Sequence, residues 1–211
     1  MKLICFDLDN TLVRSNMSHA VAFNKALSKL GFKKMSPKKM GKLFGMPKEE
    51  VVRAIVPYIS KRMLNKIIYY HGNYLYKEAV RYNRKVRGII GVLKYLKKKY
   101  KLGIVSNCAH KNILTLLRAS KLDYRLFDVI IGNDDVKHSK PYPDEIFKAE
   151  KLLHVNGCCI VGDSIYDVRA GKRARVKTIA VLSGEYSRGV LKKEKPDFIL
   201  KDIKELKKIE I

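Results

Sequence analysis

Short apolar runs that stop at polar residues recur along the chain. Leu3 to Phe6 ends in Asp7-Leu8-Asp9-Asn10, Leu102 to Val105 in Ser106-Asn107, Val129 to Ile131 in Gly132-Asn133-Asp134, and Cys158 to Val161 in Gly162-Asp163. Runs of this length bounded by turn-forming residues predict buried strands, and Thr178 to Val181 and Phe198 to Leu200 predict two more. Between them apolar residues fall at helical spacing, at Val92, Leu93 and Leu96, at Ile113, Leu116 and Leu117, and at Ile146, Ala149, Leu152 and Leu153. The alternation predicts an α/β fold, a Rossmann-like parallel-sheet core with helices on both faces. In such a core the ligand site lies at the carboxyl ends of the strands, where the polar residues cluster.

From about Arg14 to Lys85 the rhythm changes. Helical spacing appears at Ala20, Phe23, Leu27 and Leu30, then at Val52, Ile55 and Ile59, then at Leu64, Ile67 and Ile68, with no strand pattern among them. An inserted all-helical cap over residues 14–85 is predicted, leaving 1–13 and 86–211 to form the core. Pro47, ahead of Glu49 and Glu50, suits a helix start, where a missing N–H costs little and acidic groups meet the positive end of the dipole. Because the insertion follows the first strand directly, it is expected to lie over the carboxyl edge of the sheet as a lid. Asp202 with Glu205 predicts a capping box for a last short helix.

Composition narrows the class. In 211 residues, 46% are hydrophobic and 31% charged, and no apolar run reaches the length of a membrane span, so a soluble globular protein without a membrane partner is expected. Asp7 and Asp9 interrupt the stretch where a signal peptide needs an unbroken apolar core, which places the chain in the cytoplasm. Cys5, Cys158 and Cys159 sit in apolar runs and Cys108 follows Ser-Asn, without metal or redox spacing, so free buried thiols are expected. The net charge of +25 is the outlier. It favours anionic partners, either phosphorylated metabolites or nucleic acid, and abundant lysine is also a feature of proteins from hot habitats. Between Arg14 and Val86 there are 17 Lys plus Arg against 3 acidic residues, with six of the twelve tyrosines, and basic groups interleaved with aromatics suit single-stranded nucleic acid.

An Asp-x-Asp pair after a strand is by itself often a helix cap or a solvated turn. Here the segment Asp7-Leu8-Asp9-Asn10-Thr11-Leu12 is joined by three others: Ser106-Asn107, Lys140-Pro141, and Gly162-Asp163-Ser164-Ile165-Tyr166-Asp167. In this order the set resembles the four motifs of the haloacid dehalogenase superfamily. Lys140-Pro141-Tyr142-Pro143-Asp144 and the Gly184 to Pro196 stretch are similar to its phosphoglycolate phosphatase-like branch. The chemistry such residues suit is in-line phosphoryl transfer, which needs a nucleophile, neutralisation of the phosphoryl oxygens and a proton donor for the leaving alkoxide.

The resemblance implies a phosphatase in which Asp7 is the nucleophile, Asp9 the general acid and base, and Lys140 a catalytic and phosphate-binding cation. It implies Ser106 and Asn107 as further phosphate contacts and Mg²⁺ as cofactor, held by Asp7, the Asp9 carbonyl and Asp163. Thr11 is expected to brace the Asp7 loop, and Asp167 to orient Lys140 or a metal-bound water. The implied partner is a small phosphorylated metabolite, phosphoglycolate first. A phosphomutase would keep the same core residues, and a nucleic-acid-binding protein on a hydrolase scaffold is the alternative from another class. Dehalogenases and phosphorylating transport ATPases lack an aspartate at the place of Asp9. Arg14, Lys48 and Arg53 are candidate substrate contacts in the lid, since Gly45-Met46-Pro47 resembles a substrate-facing loop. Two departures stand out: Arg175 occupies a helix-ending position where relatives carry glycine, and Arg14-Ser15 replaces an acidic residue and serine.

Overall fold

The computed structural model describes residues 1–211. Along the chain run β1 (Lys2–Phe6), β2 (Val13–Arg14), α1 (Asn16–Lys29), α2 (Pro37–Gly41), α3 (Lys48–Ile55), α4 (Lys61–Tyr82) and β3 (Arg84–Lys85). There follow α5 (Ile89–Leu96), β4 (Tyr100–Ser106), α6 (His110–Ala119), β5 (Val129–Gly132), α7 (Asp144–Leu153) and β6 (Gly157–Gly162). The chain closes with α8 (Ile165–Ala174), β7 (Lys177–Val181), α9 (Arg188–Lys193) and β8 (Phe198–Leu200), then a 3₁₀ turn at Ile203–Lys207.

Six strands form one parallel sheet in the order β5-β4-β1-β6-β7-β8. The sheet is therefore the expected Rossmann-like one, and its order reverses at β1, where a crevice opens between the carboxyl ends of neighbouring strands. Alternation along β1 supplies two separate cores. Ile4 and Phe6 join a large cluster with Val92, Leu93, Ile113 and Leu116 from α5 and α6. Leu3 and Cys5 face the other way, toward Ile146 and Ala149 of α7 and Ala170 of α8. Each strand is thus apolar on both faces, which is why it reads as a continuous apolar run rather than an alternation. Leu152, assigned by spacing to the core face of α7, instead points to solvent.

Helices α1 to α4 pack around a cluster of their own, built from Ala20, Phe23, Leu27, Met40, Val51, Val52, Leu64 and Ile67. The stretch is not wholly helical. Its ends pair as an antiparallel ribbon, Val13 with Lys85 and Arg14 with Arg84, and the Val86 N–H donates to Leu12 C=O at 2.9 Å. Two-residue strands are too short to show a period, so no pattern announced them. Pro47 is the N-cap of α3, with Glu49 and Glu50 in the first turn. The Asp202–Glu205 capping box is present. No helix is long and apolar enough to cross a membrane. All four cysteines are free, and Cys158 is only half-buried.

Candidate active site

The carboxyl ends of β1, β4 and β6 deliver the predicted residues to one point. Asp7 continues β1, its N–H bonded to Val161 C=O at 2.8 Å. Lys140, almost fully buried, reaches it from the loop before α7. Its ammonium donates to Asp7 Oδ1 at 2.7 Å, Asp167 Oδ1 at 2.6 Å and Val105 C=O at 2.9 Å, which uses all three of its donors. Asp167 is fixed in turn, because its Oδ2 accepts from the N–H and hydroxyl of Ser164 at 3.0 and 2.6 Å in the capping box that starts α8. Thr11 donates from its hydroxyl to Asp163 Oδ1 at 3.1 Å.

Ser106 and Asn107 end β4 beside this group and line the same cavity. The Ser106 hydroxyl accepts from the Cys108 N–H at 3.2 Å, which leaves its own proton available. Asn107, expected as a phosphate contact, is engaged within the protein. Its amide N–H groups hold the Gly45 and Lys140 carbonyls at 2.8 and 3.0 Å, while its Oδ1 is buried without a partner. It ties the loop before α3 to the sheet edge. Gly45 has φ +98, and a Cβ there would lie 2.9 Å from Ser164 Cβ, so the close approach of this loop requires glycine on both counts.

Charge is poorly balanced around Asp7. Asp7, Asp163 and Asp167 each offer an oxygen within 4.8 Å of the others, and all three are buried. Burial, followed by the neighbouring carboxylates, pushes Asp7 and Asp163 well above the usual carboxylate range, although Lys140 acts against this. For Lys140 itself, burial opposes the charge but Asp167 and Asp7 outweigh it, raising the ammonium well above the usual lysine range. One lysine does not neutralise three carboxylates, and an all-oxygen donor set of this kind fits a hard divalent ion. Glycine at 184 is part of the fit, because a Cβ at that position would overlap Asp163 Oδ2.

Asp9 has different surroundings. Its Oδ1 receives the Ser15 hydroxyl and lies 3.0 Å from His19 Nε2; its Oδ2 receives the Cys108 thiol at 3.2 Å. Burial works to raise this carboxyl, but His19, Ser15 and Cys108 outweigh it and hold Asp9 well below the usual range. His19 Nδ1 is 3.1 Å from Nε2 of the fully buried His71. His71 stacks on Phe23 at 3.9 Å between centroids, and burial followed by His19 and Lys48 keeps it neutral. Lys48 is buried, lines the cavity and has no carboxylate partner. Arg14 and Arg53 are exposed and lie outside the cavity lining, so of the three lid candidates only Lys48 faces it. The cavity measures about 50 Å³, room for a few waters or one small anion.

The sequence reading missed His19, His71 and Cys108. A signal for the histidines was present. His19 lies one turn before Phe23, and His71 falls in the stripe Leu64, Ile67, His71, Leu75, so each places a polar ring on an apolar helix face.

The fold and this grouping define a hydrolase of the Rossmann-like phosphoryl-transfer type. A family model for haloacid dehalogenase-like hydrolases matches residues 4–181, and the chain belongs to that family. It is an enzyme, a phosphatase of the phosphoglycolate phosphatase-like branch. The phosphoglycolate phosphatase of Aquifex aeolicus (strain VF5) is 33% identical over 99% of this chain and 96% of its own length. The pyrophosphatase PpaX of Bacillus mycoides (strain KBAB4) is 38% identical over 52% of each chain. Among solved structures, a predicted phosphoglycolate phosphatase from Haemophilus somnus 129pt superposes with a TM-score of 0.88 at 24% identity, over 99% of this chain and 97% of that one. A haloacid dehalogenase-like family protein from Streptococcus pneumoniae gives 0.84 at 22%, over 99% and 97%.

Proposed function

We propose that this phosphatase hydrolyses small phosphate monoesters through an aspartyl-phosphate on Asp7, with Mg²⁺ as cofactor and phosphoglycolate as first substrate. The observation that carries the reading is the pairing of two carboxylates in opposite settings two residues apart. Asp7 is bonded to the Lys140 ammonium beside Asp163, while Asp9 is hydrogen-bonded to Ser15, His19 and Cys108 at the same cavity.

In this reading Asp7 attacks phosphorus, and Lys140 offsets the charge that gathers on the phosphoryl oxygens. The Ser106 hydroxyl, with its free proton, donates to one of those oxygens. Asp9 protonates the departing alkoxide and afterwards takes the proton of the attacking water. The observed Asp9, ionised among three donors, is in the form that accepts a proton. To act as the acid it takes up a proton first, before the alkoxide leaves. Asp7, the Asp9 carbonyl and Asp163 would hold Mg²⁺, which when bound supplies the positive charge that keeps Asp7 ionised against a phosphate dianion. Asp167 positions Lys140, and Thr11 positions Asp163.

Helices α1 to α4 serve as a lid that shuts the cavity, held down through Asn107 and Gly45. Lys48 gives the lid its substrate preference. An ammonium on the cavity wall without a carboxylate partner calls for a second anionic group, such as the carboxylate of phosphoglycolate or the distal phosphate of pyrophosphate. A panel of phosphorylated metabolites assayed for phosphate release with Mg²⁺ tests this. Phosphoglycolate or pyrophosphate should lead, and a preference for monoesters without a second charge would overturn the assignment to Lys48.

A further inference from the structure

Asp9, His19 and Cys108 come from three elements, the turn after β1, the first turns of α1 and the loop after β4, yet their ligand atoms lie within 4.8 Å of one another. They present one carboxylate, one imidazole nitrogen and one sulfur, all facing the cavity. This differs in kind from the neighbouring Asp7, Asp163 and Asp167 group, which is oxygen only. Mixed oxygen, nitrogen and sulfur donors select a borderline ion such as Zn²⁺ over Mg²⁺. We infer that Asp9, His19 and Cys108 form a zinc site that switches the enzyme off.

The spacing suits the ion. A tetrahedral Zn²⁺ needs about 3.3 Å between its nitrogen and oxygen ligands and about 3.6 Å between oxygen and sulfur. The present contacts are 3.0 Å from His19 Nε2 to Asp9 Oδ1 and 3.2 Å from Cys108 Sγ to Asp9 Oδ2, and all three ligand groups lie within 4.8 Å of one another, so side-chain movement toward a common centre admits the metal. The fourth position opens on the cavity and takes water. His71 supports the site from behind. With its Nε2 3.1 Å from His19 Nδ1, it is placed to accept a proton from that nitrogen once His19 Nε2 gives up its hydrogen bond to Asp9 and turns to the ion, as the outer partner of a metal-binding imidazole does. On binding, the Cys108 thiol releases its proton to solvent, the proton that His19 Nε2 shares with Asp9 passes to Nδ1 or to solvent, and no oxidant or reductant takes part.

Two consequences follow from the placement. An Asp9 carboxylate bound to zinc no longer exchanges protons, and His19, now tethered to the sheet edge, pins α1 over the cavity. The inhibition rests on the phosphatase reading above; the binding site does not.

The test measures Zn²⁺ affinity of the whole chain by competition with a chromophoric chelator in excess Mg²⁺, beside the absorption spectrum of the protein with Co²⁺ alone. One Zn²⁺ per chain should bind in the presence of Mg²⁺, and Co²⁺ should give a thiolate charge-transfer band. Changing an outer partner of a metal site costs about 10- to 100-fold in affinity, so loss of a direct ligand in Cys108→Ser or His19→Gln should cost at least about 100-fold. Cys158→Ser and Asp163→Asn should keep the wild-type value. Zinc affinity unchanged in Cys108→Ser, one-for-one displacement of zinc by Mg²⁺, or a Co²⁺ spectrum without a thiolate band would each overturn the site. The Co²⁺ spectrum of the wild-type chain decides the matter even if a variant does not fold. Zinc that binds as described but leaves phosphate release untouched would overturn only the inhibition.

Discussion

At Asp7, Asp9 and Lys140 the account makes separable claims. Asp7→Asn removes the nucleophile and should abolish turnover. Asp9→Asn removes the proton donor and base, so kcat should fall by about 10²- to 10⁴-fold while KM changes little; the split is read from steady-state kinetics on phosphoglycolate. Lys140→Met leaves Asp7 and Asp167 buried without a counter-charge. Breaking a buried ion pair by removing one partner costs about 3–5 kcal/mol, measurable as a shift in the denaturant midpoint at pH 7. The meeting of Asp7 and Lys140 was legible from the motifs, because a parallel sheet gathers its polar residues where its order reverses. His19 and Cys108 were not, because their nearness to Asp9 depends on how α1 folds back over the sheet, and a single sequence holds no record of that contact.

At the scale of elements, caps and helix faces carry the predictions. Arg175 ends α8 at φ 58, ψ 35, a left-handed conformation that costs a side chain with Cβ about 1 kcal/mol or more. Arg175→Gly should therefore raise the unfolding midpoint without altering kcat. The resemblance pointed to this strain, because relatives carry glycine where this helix ends at Arg175. In α7, burial pushes the Glu145 carboxyl up to about 7 from an ordinary value of 4.5. The folded state then holds this proton more tightly than the unfolded chain does. The resulting stability is present in full below pH 4.5 and is lost as pH rises to about 7, up to about 3 kcal/mol. Glu145→Gln should flatten the stability profile across that window, and chemical denaturation at a series of pH values checks it. In α3, Lys48→Met should raise KM for phosphoglycolate and hardly affect a small aryl phosphate. Equal losses on both would mean damage to the lid rather than a lost contact. The β2–β3 ribbon was invisible in advance because two residues carry no periodicity, whereas the recurring apolar runs of the sheet, alternating with helical spacing, left little room for another fold.

For the whole molecule, the question is what the net charge of +25 does. Composition alone allowed a nucleic-acid protein, and the fold does not remove that field. On the proposed function its use is narrower, to draw a small anion into the cavity at Asp7. Single-stranded nucleic acid should bind weakly near physiological salt and should not compete with phosphoglycolate. A steep salt dependence, with a log–log slope near −0.7 per phosphate contact, joined to competitive inhibition would recast the lid as a strand-binding cleft. The central claim, a phosphoryl group carried by Asp7, is tested most directly by acid-quenching the enzyme during a single turnover of phosphoglycolate with Mg²⁺ and weighing its peptides. The account predicts one added phosphoryl group on the peptide bearing Asp7, absent in Asp7→Asn and absent with excess chelator. Full turnover with no phosphorylated peptide at any quench time, together with an active Asp7→Asn, would contradict it.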